Sequence, residues 1–243
     1  MKSLIPGSVL ALLLLSPVIA GEEMTPGLTG ADALQRLQQG NERFAASKPL
    51  RPNQDSVRRQ EAARGEARPF AAVLTCSDAT MPPEIILDAG LGDLVVLRTP
   101  AALANAGEAA ALDHAIMSLD LPLLVVLGHP DCRLIGDLAG HMTLSPAMSL
   151  VADGVLTAVA TARNDHPGLP PASLAAEAAR ANVWQSIERV FKFSAGIRQR
   201  AAQGRLLVVG AFYDPKSGLL EWMGRHPEER TVIKLYDTPA EAE

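Results

Sequence analysis

The sequence predicts an α/β fold in which helices flank a central parallel sheet. Four short apolar runs indicate strands, at residues 68–76, 92–99, 121–129 and 204–214. Helical patterns separate these runs, at residues 82–90, 105–120 and 171–204. Strands that alternate with helices form parallel sheets through right-handed crossovers. Only 4% of the residues are aromatic, which favours helices packed on a compact sheet over a β-sandwich.

The first twenty residues have the pattern of a cleavable secretory leader. The stretch MKSLIPGSVLALLLLSPVIA has a single lysine, a short apolar core and a small residue, Ala20, at the expected cleavage point. A membrane anchor is the alternative, but the core covers about a dozen residues whereas a spanning helix needs about 20. We therefore expect residues 1–20 to be a signal peptide and residues 21–243 to form one domain. Such a protein is exported, to the periplasm in a bacterium and otherwise by secretion, and has no membrane segment after cleavage.

Two helices are predicted before the first strand. Residues 30–47 carry apolar positions at helical spacing. Residues 53–66 form a second, more polar helical pattern that begins near Asn53 or Asp55. Residues 30–66 therefore form a predicted N-terminal helical arm. Farther along, residues 142–171 show little periodicity and are expected to hold short helices and loops.

The charge of the chain argues against one class of partner. The formal net charge is −5 and the sequence contains no basic run. Proteins that bind nucleic acid present a basic patch or stripe. We therefore expect no nucleic acid partner.

Both cysteines of the chain lie where predicted strands end. Cys76 closes the first apolar run and is followed by Asp78. His129 and Cys132 follow the third run. In open parallel sheets, ligands bind beyond the carboxyl ends of the strands. Two thiolates, one imidazole and an optional carboxylate suit tetrahedral Zn²⁺, so the sequence predicts a zinc site.

Two alternatives to zinc remain open at this point. A disulfide between Cys76 and Cys132 is the default for two cysteines in an exported protein. Two free buried thiols are the other alternative.

Cys132 also precedes a predicted helix. The N-terminus of that helix is expected to lower the pKa of the Cys132 thiol and so stabilise the thiolate.

Most of the chain after the leader resembles the β-class carbonic anhydrases. The phrase TCSDATMPPEIILDAGLGDLVVLRT, followed by LLVVLGHPDC, is similar to the CxDxR and HxxC motifs of that family. ALQRLQQGNERFAASKP resembles the family's N-terminal arm, and GRLLVVGAFYDPKSGLLEWM resembles its closing strand and hairpin. The resemblance implies a zinc enzyme that interconverts carbon dioxide and bicarbonate by means of a zinc-bound hydroxide. It also implies a homodimer, or a larger homo-oligomer, whose N-terminal helices are exchanged between protomers.

The resemblance also assigns the site residues. Cys76, His129 and Cys132 would hold the zinc ion. Asp78 would be the catalytic carboxylate, which either fills the fourth metal position or leaves that position to water.

Position 80 departs from the family, because Thr80 stands where the family has arginine. The family arginine pairs with the aspartate and keeps its carboxylate off the metal. A charged pair of this kind contributes about 1.5–3 kcal/mol, against about 0.5–1.5 for a neutral hydrogen bond. We therefore expect Thr80 to compete poorly with zinc for Asp78, which would leave a closed site. A catalytically silent relative is accordingly one rival function, and a hydrolase of a small linear substrate such as carbonyl sulfide is another.

Two more departures fall near the same pocket. The family usually has RNAGN after the second strand, where this chain has Arg98 followed by Thr-Pro-Ala-Ala. The family usually has glycine after HxxC, where this chain has Arg133. Together with Thr80, these two arginines are candidates for a substrate or anion pocket. Arg98 is an anion contact or an internal pairing residue, and Arg133 either replaces the missing guanidinium or points to solvent.

Two further residues are interpreted as structural. Tyr213, at the end of the last apolar run, is expected to be a core residue. His114, on an apolar helical pattern, is expected to pack against its neighbours.

Overall fold

The computed structural model describes residues 27–237, so the predicted signal peptide at 1–20 lies outside the described residues. Nine α-helices and five strands make up this part of the chain. The helices are α1 (Gly30–Ala45), α2 (Ser56–Ala63), α3 (Pro83–Ile86), α4 (Ala106–Leu119), α5 (Arg133–Ala139), α6 (Pro146–Asp165), α7 (Pro171–Phe193), α8 (Ala195–Ala202) and α9 (Glu229–Asp237). The strands are β1 (Ala71–Cys76), β2 (Leu94–Thr99), β3 (Leu123–Gly128), β4 (Leu207–Tyr213) and β5 (Leu220–Gly224). Within residues 27–237, every helix is too short or too polar to cross a bilayer.

The five strands form one sheet in the order β2-β1-β3-β4-β5. The first four strands of that order pair in parallel, and β5 joins β4 as an antiparallel hairpin. The predicted parallel sheet is therefore confirmed. Because β1 and β3 are parallel neighbours, the chain segments that follow them emerge at the same edge of the sheet.

Apolar side chains cover both faces of the sheet. Alternate residues of β1 point to opposite sides: Ala72 and Leu74 face a thick layer of helices that includes α7, while Ala71 and Val73 face a smaller cluster that includes α1. Helix α7 approaches the sheet very closely at Gly128. A Cβ at that position would lie 2.6 Å from a methyl carbon of Val183, so only glycine fits there without a shift of the helix.

The segment at residues 142–171 differs from its prediction, because most of it is one long helix. Ser145 caps α6 by accepting a hydrogen bond from the backbone of Met148, and Pro146 occupies the first helical position. Its buried residues recur at helical spacing and are mostly small: Ala152, Gly154, Val155, Ala158, Val159 and Ala162. Because alanine carries little apolar contrast, this periodicity is weak in the sequence. Burial against α7 therefore determines the helix.

The predicted helix at residues 82–90 is also shorter than expected, since α3 ends at Ile86. Asp88 beyond it has a left-handed backbone, with φ of 46°. Its buried carboxylate accepts hydrogen bonds from the backbone N–H groups of Leu50 at 2.9 Å and Arg51 at 2.8 Å. Arg43 of α1 donates a third, from Nε, at 2.7 Å. Asp88 thus ties the N-terminal arm to the body of the domain.

The arm packs on its own chain in this structure. Residues Ala33 and Leu37 of α1 are buried in the same apolar cluster as β1 and β3. Asp55 caps α2, as one of the two predicted alternatives requires. The exchange of the arm between protomers stays a prediction.

We expect Asp88→Asn to lower the free energy of unfolding by about 2–3 kcal/mol at pH 7, because a charged acceptor of three hydrogen bonds is lost. Burial raises the pKa of Asp88, but the hydrogen bonds from Leu50, Arg43 and Arg51 outweigh it, and the net pKa lies below the ordinary value. The carboxylate therefore stabilises the fold above about pH 4, and this contribution is lost as the pH falls through the lowered pKa. The measurement is urea unfolding of both proteins from pH 7 to pH 3.

Asp55→Asn is the matched control, since asparagine caps a helix as well as aspartate does. A stability loss in Asp88→Asn no larger than in this control would contradict the role given to Asp88. A difference from the native chain that does not shrink at acid pH would contradict it as well.

Candidate metal centre

The fold brings Cys76, His129 and Cys132 together at the carboxyl edge of the sheet. Cys76 is the last residue of β1, and His129 directly follows β3. Cys132 is the N-cap residue of α5. All three side chains are buried, which fixes their orientation. The strand pairing thus explains why residues more than fifty positions apart in the chain meet here.

The geometry of the three side chains fits a tetrahedral metal ion. Their ligand atoms all lie within 4.8 Å of one another. The two Sγ atoms are 3.7 Å apart and both thiols are free. Two sulfur ligands about 2.3 Å from a tetrahedral zinc ion lie about 3.8 Å apart, whereas the sulfurs of a disulfide lie about 2 Å apart. The separation of the two sulfurs therefore fits two zinc ligands and not a disulfide.

The imidazole of His129 supports the same conclusion. Its Nε2 atom is buried and has no hydrogen-bond partner among the residues that the structure describes. Buried polar atoms normally have a partner. Thiolate and imidazole donors select zinc over the harder divalent cations. The donor set and the unpartnered nitrogen therefore fit a zinc ion.

The two thiols have opposite pKa shifts. The hydrogen bond from Cys132 lowers the pKa of the Cys76 thiol. The same contact, together with burial, raises the pKa of Cys132 and outweighs the backbone N–H groups at the start of α5. The N–H groups at the start of α5 do lower the pKa of Cys132, as expected, but the contact between the thiols is the larger effect and the net shift is upward. Cys76 is the thiol that ionises first.

Asp78 lies at the rim of the site, outside the group formed by the two cysteines and His129. Its Oδ1 accepts hydrogen bonds from the backbone N–H of Thr80 at 3.0 Å and from the Thr80 hydroxyl at 2.9 Å. These two bonds hold the pKa of Asp78 below its ordinary value. Thr80 thus restrains the carboxylate even though the family arginine is missing. Its role as a fourth metal ligand stays a prediction.

Arg98 supports the segment that carries Cys76 and Asp78. It pairs with Thr75 across the parallel strands β1 and β2. Its Nε donates to the carbonyl oxygen of Cys76 at 3.3 Å, and its Nη2 donates to the carbonyl oxygen of Asp78. Arg98 therefore makes internal contacts, with backbone carbonyls as its partners. Its role as an anion contact stays a prediction.

A pocket of about 330 Å³ opens above the two cysteines, and Asp78 and Arg133 both line it. Arg133 is exposed, and its positive charge helps to lower the pKa of Asp78. Among the described residues it makes no hydrogen bond or ion pair, with Asp78 or with any other group. A direct replacement of the family arginine by Arg133 is therefore not seen, although its side chain does face the pocket.

Sequence reasoning missed Asn182 of α7, which is buried beside Cys76, His129 and Cys132. Its Nδ2 donates to the carbonyl oxygen of Ala101 at 2.6 Å. The only sequence signal is its spacing, since it lies one helical turn after the buried Ala178.

Of the two residues interpreted as structural, Tyr213 is buried as expected. The expectation for His114 is wrong, because it lies on the exposed side of α4.

Comparison with known proteins identifies similar chains. Residues 71–220 match the sequence profile of the carbonic anhydrase family. Carbonic anhydrase 2 of Mycobacterium tuberculosis strain H37Rv is 31% identical over 216 residues, which cover 84% of this chain and 99% of that protein. Carbonic anhydrase of Synechococcus elongatus is 31% identical over 183 residues, covering 72% of this chain and 66% of that protein.

Solved structures share the fold. The β-carbonic anhydrase CafA of Aspergillus fumigatus superimposes with a TM-score of 0.63 at 20% identity, over 86% of this chain and 98% of that one. A match to two tetrameric β-carbonic anhydrases of Sordaria macrospora has a TM-score of 0.60 at 22% identity, over 80% of this chain and 98% of that one. At these identities the superpositions establish the architecture.

Proposed function

Because the chain belongs to the β-class carbonic anhydrase family, we propose that it is a zinc-dependent enzyme that interconverts carbon dioxide and bicarbonate. The single observation that carries the proposal is the buried group of Cys76, His129 and Cys132, with ligand atoms within 4.8 Å of one another. A bound zinc ion would supply a Lewis acid that lowers the pKa of water to about 7. That shift provides a nucleophile for carbon dioxide near neutral pH.

The residues around the three ligands have separate tasks in this proposal. Asp78 is ionised at neutral pH, as an ordinary aspartate is, and the hydrogen bonds from Thr80 lower its pKa further. It lines the pocket next to Cys76 and accepts a hydrogen bond from the attacking water, which orients the water oxygen toward carbon dioxide. Arg98 keeps the Cys76–Asp78 segment in place through its two carbonyl oxygens.

A catalytically silent relative is the second candidate function. It is supported by the contacts of Asp78, since Thr80 binds only Oδ1 of the carboxylate and leaves Oδ2 available to the metal. Zinc bound by two cysteines, a histidine and an aspartate would be a closed, structural site. Hydrolysis of carbonyl sulfide, a linear relative of carbon dioxide, is a third possibility that the same pocket would accommodate.

Stopped-flow hydration of carbon dioxide by the purified chain separates these functions, with zinc content measured on the same sample. The proposal expects zinc in each chain and a rate well above the buffer background at pH 7 to 9. Stoichiometric zinc without hydration at any pH would favour the silent relative. Turnover of carbonyl sulfide in a parallel assay, without hydration of carbon dioxide, would favour the hydrolase.

We also propose that the protein is exported and self-associates. The first twenty residues support export, and cleavage after Ala20 would give a mature chain that starts at Gly21. The Sordaria macrospora relatives are tetrameric, which supports a homodimer or a larger homo-oligomer here. N-terminal sequencing of the secreted protein and light scattering test these two points.

We expect Arg133→Met to weaken inhibition by nitrate about two- to fivefold at low ionic strength, because an exposed charge contributes little more than this. Arg133 has no ion-pair partner among the described residues, so its guanidinium is available to an anion in the pocket. The difference should vanish in 1 M salt, where charges are screened within about 3 Å. Arg163→Met, at an exposed position of α6, is the control. Equal nitrate inhibition constants in Arg133→Met and Arg163→Met would show that Arg133 does not bind an anion in the pocket.

A further inference from the structure

We propose that Asn182 is a positioning residue that holds the turn at Pro100–Ala102 against the metal ligands. The proposal rests on the proposed function in one respect, namely that the three ligands bind a metal ion. It adds Asn182, on helix α7, to the residues that hold the metal site in its geometry. It also explains why a polar side chain is buried on α7.

The turn that Asn182 contacts has an unfavourable backbone. Ala101 has φ of 57° and Ala102 has φ of 54°. This left-handed region is disfavoured for every residue with a Cβ, since the Cβ approaches the neighbouring carbonyl oxygen. Two consecutive alanines in this conformation need contacts from elsewhere to keep them there. Strained backbone of this kind is concentrated at functional sites.

The turn also touches every element that carries a ligand. Pro100–Ala102 packs against β1, β3 and α5, and on its fourth side against α7. Ala101 and Ala102 line the same small cavity as the two cysteines and His129. A shift of the turn therefore changes the wall behind the ligands.

Helix α7 supplies the contacts that hold this segment. Asn182 is only 2% exposed and donates from Nδ2 to the carbonyl oxygen of Ala101 at 2.6 Å. Its Oδ1 is buried without a partner among the described residues. Two turns farther along the same face of α7, Arg189 donates from Nε to the carbonyl oxygen of Ala104 at 2.9 Å. These two side chains restrain the segment between β2 and α4 at both ends.

The physical consequence follows from the strain. Without the hydrogen bond to Ala101, the turn relaxes toward ordinary backbone angles and the ligands lose one wall of their cavity. Residues that orient metal ligands typically account for about 10- to 100-fold in metal affinity. A glycine at position 101 would adopt the left-handed conformation without strain. The turn should then depend less on the hydrogen bond from Asn182.

The test compares zinc affinities by competition with a chelator, in full-length reduced protein. Asn182→Ala is expected to weaken zinc binding about tenfold or more. Ser186→Ala is the matched control: Ser186 is buried one turn farther along α7 and its hydroxyl has no partner among the described residues, so affinity should be unchanged. Adding Ala101→Gly to Asn182→Ala should restore most of the lost affinity, while Ala101→Gly alone should change it less than twofold. The visible spectrum of the cobalt-substituted proteins gives an independent view of ligand geometry.

Each outcome decides the proposal. Native zinc affinity in Asn182→Ala would overturn it, and so would a failure of Ala101→Gly to restore affinity in the double variant. If Asn182→Ala does not fold, the double variant is expected to fold and bind zinc, and its failure to do so would also overturn the proposal. A native chain that binds no zinc would instead refute the proposed function. If the native chain binds zinc and is active, and Asn182→Ala has the same zinc affinity, only the role of Asn182 is refuted.

Discussion

Replacing His129 by alanine is expected to remove the metal and with it the hydration of carbon dioxide. His129 supplies the only nitrogen in the buried group of ligands, and its Nε2 has no other partner among the described residues. A catalytic zinc ion needs three protein ligands. Zinc content should fall from one ion per chain to near background, and the hydration rate should fall by several orders of magnitude, because water then keeps its ordinary pKa. Both are measured on the same purified sample.

His114→Ala is the control for this variant. His114 lies exposed on α4 and belongs neither to the buried group of Cys76, His129 and Cys132 nor to the lining of the pocket beside it. It should keep the zinc content and the rate of the native chain. Retention of stoichiometric zinc by His129→Ala, with hydration intact, would refute the assignment of the centre.

Replacing Asp78 by asparagine should lower the hydration rate about 10²-fold or more while zinc content is unchanged. Asparagine keeps the shape of the side chain and can still accept the two hydrogen bonds from Thr80. It loses the negative charge that attracts the hydrogen of the attacking water, and such proton-handling groups contribute about 10²–10⁴-fold. Stopped-flow assays from pH 6 to pH 9 measure the effect.

A rise in the hydration rate of Asp78→Asn would instead support the closed, silent site. If Asp78 binds the metal and closes the site, asparagine would release that position and the rate at neutral pH would rise. Asp137→Asn is the control, since Asp137 lines the same pocket from α5. Its rate should stay within a few-fold of the native value.

The sheet and the meeting of Cys76, His129 and Cys132 at its edge could be predicted because their signals are local. A continuous apolar run such as β3 is typical of a strand buried on both faces, and the side chain that follows it, His129, therefore stands at the edge where ligands bind. Parallel pairing then brings Cys76 to the same place. The long helix α6 could not be predicted in this way, because its buried face is built from alanine and glycine and its stability comes from packing on α7.

The supporting residues of the site could not be predicted either. The sequence predicts that Thr80 is a weak substitute for arginine, yet Thr80 binds Asp78 through both its hydroxyl and its backbone N–H. Backbone donors cannot be identified from residue types alone. Asn182 meets Ala101 across 81 residues of chain, so no spacing rule connects them. Arg98 acts through carbonyl oxygens, which every residue carries. These contacts depend on the tertiary fold.

Native mass spectrometry of the protein, isolated without added reductant or metal, tests the central claim most directly. Cys76 and Cys132 are free thiols and lie with His129 in one buried group. We expect a mass that exceeds that of the reduced polypeptide by one zinc ion per chain, with two thiols that react only after chelation. A metal-free chain whose Cys76 and Cys132 are joined by a disulfide would contradict it.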